Sequence, residues 1–256
     1  MDTTLCFDFG NTRLKCGVFL DDRLSEVFSL AGSGKETIED LLKKYKPSKT
    51  ILSSVIEHGN EIEKILGEKT SFHKLSSHSI LPFTAPVGKP ETIGADRLAL
   101  AAASVHFYNG KNNLVIGVGS CITYNFINKY NSFLGGSISP GMEMRLKSLN
   151  TFTAKLPLIQ VDTDEIGWNF PLIGYDTRTN ILSGVILGMA AEIDGIINKY
   201  GEKFENLNVV LTGGDAVYLT HFLENKIICD PDMIFKGLYA ISEQNHKAVT
   251  FDATRK

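Results

Sequence analysis

The strongest constraint on the fold is a strand–turn–strand segment that occurs twice. Its first copy runs Leu5-Cys6-Phe7-Asp8-Phe9-Gly10-Asn11-Thr12-Arg13-Leu14-Lys15-Cys16-Gly17-Val18-Phe19-Leu20. Two apolar runs, Thr4–Phe7 and Gly17–Leu20, flank a small polar turn, the pattern of a β-hairpin. Gly10 permits backbone geometry that other residues resist and clears a path to the main chain. The turn's N–H groups can then face a phosphate, with Asn11 beside them and Thr12 adding a hydroxyl. Asp8 brings a carboxylate and Lys15 a cation to the same point. A carboxylate beside a phosphate is repulsive unless a metal lies between, so Asp8 implies Mg²⁺. The same spacing also suits an ordinary hairpin with a polar tip.

The second copy is Leu114–Ile127, again apolar strand, small-residue turn and apolar strand. Laid on the first, Gly119 falls on Gly10, Ser120 on Asn11 and Cys121 on Thr12, while Asp8 falls on Gly117. The repeat predicts an α/β fold in two related halves, 1–112 and 113–256, with phosphate-facing hairpins across one cleft. At 256 residues the chain can bury a core of that size.

Between the hairpins the expected elements are a helix over Thr37–Lys46, a strand over Thr50–Val55 and a short helix ending near Gly67. One or two strands follow within Phe72–Thr84, and Gly94-Ala95-Asp96-Arg97 opens a helical Leu98–Phe107. Beyond the second hairpin, Gly135–Gly141 reads as a glycine-rich turn before a helix over Met142–Leu149. A long helix is expected over Thr177–Tyr200, a strand over Asn208–Leu211 ending in Thr212-Gly213-Gly214-Asp215, and a closing helix over Asp232–Ser242.

A formal net charge of −3 gives no electrostatic case for nucleic acid or anionic membrane. The longest apolar run, Ile181–Ala191, contains Ser183 and two glycines and reads as a buried helix rather than a bilayer span. No signal peptide is evident. Cys6, Cys16, Cys121 and Cys229 are spread without a C-x-x-C pair, which suits a reducing cytoplasm. The six histidines show no metal-binding spacing, and neither a P-loop nor a nucleophile elbow occurs. Asp96, at a helix mouth beside Arg97, can cap that helix; beside a phosphate site it can instead accept a hydroxyl proton while Arg97 holds an anionic substrate.

The order Asp8–Lys15, Gly94–Arg97, Gly135–Gly141, Asp176–Gly184 and Asp230-Pro231-Asp232 resembles the type III pantothenate kinases over nearly the whole chain. The resemblance implies a duplicated actin- and sugar-kinase-like ATPase fold and a typical homodimer. It implies ATP-dependent phosphorylation of pantothenate, the first step toward coenzyme A, with Mg²⁺ and a monovalent cation such as K⁺ or NH₄⁺. By position, Asp8, Gly10, Asn11, Thr12, Lys15, Gly119 and Ser120 would meet ATP. Gly94, Ala95, Asp96 and Arg97 would bind pantothenate with Asp96 as proton acceptor, and Thr177 falls where a substrate-contacting threonine is expected. The chain departs from the pattern at Gly117 and Asn125, where the family usually has aspartates, the first tied to the monovalent cation. It departs also at Val87, where an aromatic is frequent, and in the Gly119-Ser120-Cys121 core. These departures leave a non-catalytic nucleotide- or pantothenate-binding protein of the same fold as the alternative reading.

Overall fold

The computed structural model describes residues 2–161 and 171–253. Two five-stranded sheets carry the chain. In the first, β1 (Thr3–Phe9) pairs antiparallel with β2 (Leu14–Leu20), which pairs antiparallel with β3 (Arg23–Ser29). On the other side of β1 lie β4 (Lys49–Ser54) and β5 (Ser71–Lys74), both parallel, giving the order β3-β2-β1-β4-β5. The second sheet repeats that order strand for strand. It comprises β6 (Asn112–Val118), β7 (Cys121–Ile127), β8 (Phe133–Pro140), β9 (Leu207–Thr212) and β10 (Ile228–Cys229), arranged β8-β7-β6-β9-β10. The duplication read from one hairpin therefore extends to the whole sheet.

In the first sheet Leu5, Phe7 and Phe9 of β1 and Leu52 of β4 are buried beneath α1 (Lys35–Tyr45) and α2 (Asn60–Lys69). These helices present Ile38, Leu41 and Leu42, and Ile62, Ile65 and Leu66, at the i, i+3, i+4 spacing that makes one apolar stripe. The second core is organised by the long helix Thr177–Lys203, whose Ile181, Val185, Met189, Ile193 and Ile197 are buried with Leu114, Ile116, Leu211 and Tyr124. This helix is long and apolar enough to cross a membrane by composition alone, but its apolar residues fill a protein core. Asp176 starts it with a capping box, its carboxylate accepting from the Thr179 N–H at 2.7 Å.

Three sequence expectations change in the fold. Gly135 and Gly136 do not form a turn: they lie inside β8, with φ of 94° and 149°. A Cβ on Gly136 would strike the Tyr124 carbonyl, so the glycine there answers a close strand approach. The closing helix, Met233–Ala253, is about twice the expected length. The chain also groups into two compact units that do not follow a single cut after residue 112. Asp232–Lys256 and Tyr130–Leu134 join Met1–Gly110, leaving Lys111–Lys129 and Gly135–Pro231 as the second unit. The physical reason is the packing of Met233–Ala253. Phe235 lies against Gly17, Gly237 against the Ala99 carbonyl, and Tyr239 stacks on Phe19 with ring centroids 4.3 Å apart.

Candidate active site

In the first unit, strand register brings three polar side chains onto one rung. Asp8 is the cross-strand partner of Lys15 on β2 and of Ser53 on β4. The rung ends on the turn Gly10–Arg13, closed by a Gly10 N–H donated to the Arg13 carbonyl at 3.2 Å. Asn11 and Thr12 form its exposed tip. Gly10 does not use the left-handed backbone that the sequence suggested. Its value is the missing side chain, since a Cβ would sit 3.2 Å from the Arg13 oxygen.

The helix α3 (Ala95–Phe107) begins with Gly94 as N-cap, and its first turn brings the Asp96 charge close enough to act on Asp8. Ala95 and Asp96 form the first helical positions, and Arg97 donates its N–H back to Gly94 at 3.0 Å. The Asp96 carboxylate folds over the helix mouth so closely that a Cβ on Gly94 would lie 2.5 Å from Asp96 Oδ1. Arg97 extends over the ring of Phe133, its Cζ 5.6 Å from the centroid.

The electrostatics are those of two carboxylates drawn together. Burial raises the Asp8 pKa to about 7, the nearby Asp96 charge adds to the rise, and Lys15 and the Ser53 hydroxyl oppose it. Asp96 is likewise raised by burial, against the backbone N–H and charge of Arg97 and its own N–H. Asp96 thus takes the helix-mouth position, accepting from the N–H groups of Arg97 and of its own residue, and its charge acts on Asp8.

The second unit holds the other predicted residues. Gly117 occupies the position of Asp8, and its cross-strand partners are Thr123 and Thr212. The turn that follows is one residue shorter than the first, because Val118 pairs with Ile122 where Phe9 pairs with Leu14. Thr123 therefore stands in register with Lys15, and Cys121 with Arg13 rather than with Thr12. A charged rung in the first sheet is a neutral one in the second. Asn125 is fully buried, and its Nδ2 donates to the Val115 carbonyl at 3.2 Å and to Thr123 Oγ1 at 3.2 Å.

The Gly119-Ser120 turn is held from two sides by backbone. Gly141 donates its N–H to the Ser120 carbonyl at 3.1 Å, and a Cβ on Gly141 would collide with the Gly119 carbonyl. Gly213, at φ 106°, leaves no room for a Cβ against Val118. In front of Gly119 itself nothing lies within 4 Å of where a side chain would start. The turn is gripped behind and open ahead. Thr177 lies in a different part of this unit, at the start of its helix, in a groove shared with Arg145, Ser148, Asn180 and Gly184.

The profile of the type III pantothenate kinase family matches residues 4–199. The chain belongs to this family. A type III pantothenate kinase from Christiangramia forsetii is 42% identical over 244 residues, covering 94% of this chain and 98% of that one. Among solved structures, a Baf family protein from Campylobacter jejuni aligns over 95% of this chain and 99% of its own, with a TM-score of 0.60 at 23% identity. A glucokinase from an Antarctic psychrotroph aligns over 95% and 99%, with a TM-score of 0.50 at 10% identity. Family membership and the duplicated sheet order together assign the actin- and sugar-kinase-like ATPase fold. Within the family's frame, sequence reasoning missed Ser53, because its place beside Asp8 depends on the parallel pairing of β1 with β4. It also missed the backbone grip on Gly119-Ser120, although Gly141 and Gly213 were visible as glycines.

Proposed function

We propose that this chain phosphorylates pantothenate with ATP, forming 4′-phosphopantothenate. The observation that carries the reading is the meeting of the Lys15–Asp8–Ser53 rung with Asp96 at the mouth of α3. In this reading the turn Gly10–Thr12 and the turn Gly119-Ser120 receive the ATP phosphates, and Lys15 neutralises part of their charge. Asp96 accepts the proton of the pantothenate hydroxyl as its oxygen attacks the γ-phosphorus, and ADP leaves. Its raised pKa brings it closer to neutrality, which strengthens it as a base. Arg97 and Thr177 orient the acidic substrate.

The residues present suit Mg²⁺. This ion is commonly held by one or two carboxylates together with substrate phosphates, and Asp8 supplies a hard oxygen beside a second carboxylate. When bound, Mg²⁺ would offset the phosphate charge facing Asp8. The monovalent-cation position is a different case. The rung Thr123–Gly117–Thr212 offers neutral oxygens and no carboxylate, and the Asn125 amide nitrogen is turned into the sheet. We assign no catalytic step to such a cation. The resemblance of the motifs to this family implies a homodimer, and the widely spread cysteines suit a reducing cytoplasm.

A coupled ADP-release assay with and without pantothenate tests the reading. Pantothenate-dependent ADP release that also requires Mg²⁺ is expected. ADP release indifferent to pantothenate would overturn it.

A further inference from the structure

Behind the Gly119-Ser120 turn, four elements of the second unit meet on a single carboxylate that the reaction does not use. Glu192, on the polar side of the helix Thr177–Lys203, accepts from Tyr124 Oη on β7 at 3.0 Å and from Ser139 Oγ on β8 at 2.5 Å. It also pairs with Arg145 of α4 (Met142–Thr151). Arg145 in turn donates through Nη2 to Ser139 Oγ at 3.2 Å and through Nε to the Pro140 carbonyl at 2.8 Å. Burial pushes the Glu192 carboxyl up, but the bonds from Ser139, Arg145 and Tyr124 outweigh it and hold the group ionised. Both members of the ion pair are about three-quarters shielded from solvent, at 22% and 26% side-chain exposure.

The Pro140 carbonyl belongs to the peptide that leads directly into Gly141, the residue bonded to Ser120 and packed on the Gly119 carbonyl. The connection therefore runs Glu192, Arg145, Pro140, Gly141, Ser120 without a gap. Tyr124 adds a second hold, since it lies on the strand that leaves the same turn and its carbonyl fills the space over Gly136. An exposed ion pair would contribute little, but this one is shielded, multiply bonded and tied to the main chain beside the turn.

We propose that Glu192 is a positioning residue for nucleotide binding: through Arg145 and the Pro140–Gly141 backbone it fixes the Gly119-Ser120 turn in the shape that receives phosphate. The inference rests on the assignment of that turn to ATP. Arg145 also lines the groove containing Thr177, so a change at Glu192 could act on either substrate, and the two routes make opposite predictions.

Steady-state kinetics of Glu192→Gln test it, with Mg²⁺-ATP affinity measured separately by calorimetry. KM for ATP and the Kd for Mg²⁺-ATP should rise about tenfold, with KM for pantothenate changed less than twofold and kcat at saturating ATP largely kept. Ser139→Ala, which removes a single small partner of the same carboxylate, should move the ATP constants in the same direction by two- to threefold. It keeps the question answerable if the glutamine variant does not fold. An unchanged ATP affinity in whichever variant folds, or a change confined to pantothenate, overturns the proposal. Ser120→Ala separates the layers. If it weakens ATP binding while the Glu192 and Ser139 variants do not, the turn binds ATP and the positioning role is wrong. If it leaves ATP binding untouched, the assignment of the turn itself fails.

Discussion

Asp8 and Asp96 are two acids whose roles separate by what surrounds them. Asp96 lies against the N–H groups of its own helix, beside Arg97, whereas Asp8 lies inside a sheet rung with Lys15 and Ser53. Asp96→Asn keeps the shape and the helix contacts but cannot take a proton. Turnover should fall by about 10²–10⁴ with Mg²⁺-ATP affinity retained, the range of a lost general base. Calorimetry alongside steady-state rates checks both halves of that statement. Asp8 gives a pH-dependent outcome. Its folded pKa of about 7 lies above the reference 3.8, so between these values the folded chain holds more protons than the unfolded chain. Stability therefore falls as pH rises through that window, by at most about 4 kcal/mol from this one group. Asp8→Asn removes the ionisation. In EDTA, its melting temperature should match the wild type near pH 4 and exceed it from about pH 7 upward; in Mg²⁺ buffer, its Mg²⁺-ATP binding should be weakened relative to the wild type. A wild-type advantage at pH 8 would contradict the assigned environment.

At the scale of elements, glycines sort into those that other backbone has closed upon and those that face open space. Gly237 lets Met233–Ala253 pack on the Ala99 carbonyl of α3, and an added methyl meets main chain that cannot swing aside. Gly237→Ala should cost about 1–3 kcal/mol by overpacking. Gly195, inside the helix Thr177–Lys203 with nothing within 4 Å, should behave oppositely. Gly195→Ala should stabilise by about 0.5–1 kcal/mol, and urea denaturation of both variants reads the contrast. The same distinction explains what could be read from sequence. The hairpins, α3 and the long core helix announce themselves by apolar periodicity and end signals, which are local. Gly135-Gly136 imitates a turn because glycine marks turns and close approaches alike, and only the position of Tyr124 decides between them. The closing helix outruns its apolar pattern because its second half is held by long-range polar contacts. Glu243 pairs with Lys49 at 2.7 Å, and Asn245 exchanges bonds of 3.0 Å with both backbone groups of Ile80. Glu192 was hidden for the same reason, as one acid on the polar side of a helix.

Across the whole molecule, one sheet design appears twice with its charges kept in one copy and removed in the other. The rung Lys15–Asp8–Ser53 corresponds to Thr123–Gly117–Thr212, so a monovalent cation on that rung would meet neutral oxygens in place of a carboxylate. Loss of a full charge from such a place should weaken the hold on K⁺. Activity should accordingly lack a tight, saturable K⁺ requirement. Gly117→Asp should introduce one and raise the rate in K⁺ relative to Na⁺, as rate against K⁺ concentration will show for both proteins. Tight saturation in the native enzyme would mean that other groups supply the charge.

The return of the last helix to the first unit also sets a schedule for synthesis. Domains of a growing chain ordinarily fold in the order in which they emerge, the N-terminal one first. Here the sheet that carries Asp8 is made before the second unit, but the helix that covers Gly17, Phe19 and Ala99 is made after it. The second unit, by contrast, has all its residues once Pro231 has cleared the ribosome. A nascent chain stalled before Asp232 should therefore protect the Glu192 cluster from protease while the N-terminal sheet stays open to cleavage. The hairpin that carries Asp8 is therefore finished only after Met233–Ala253 has been made, well after its own strands.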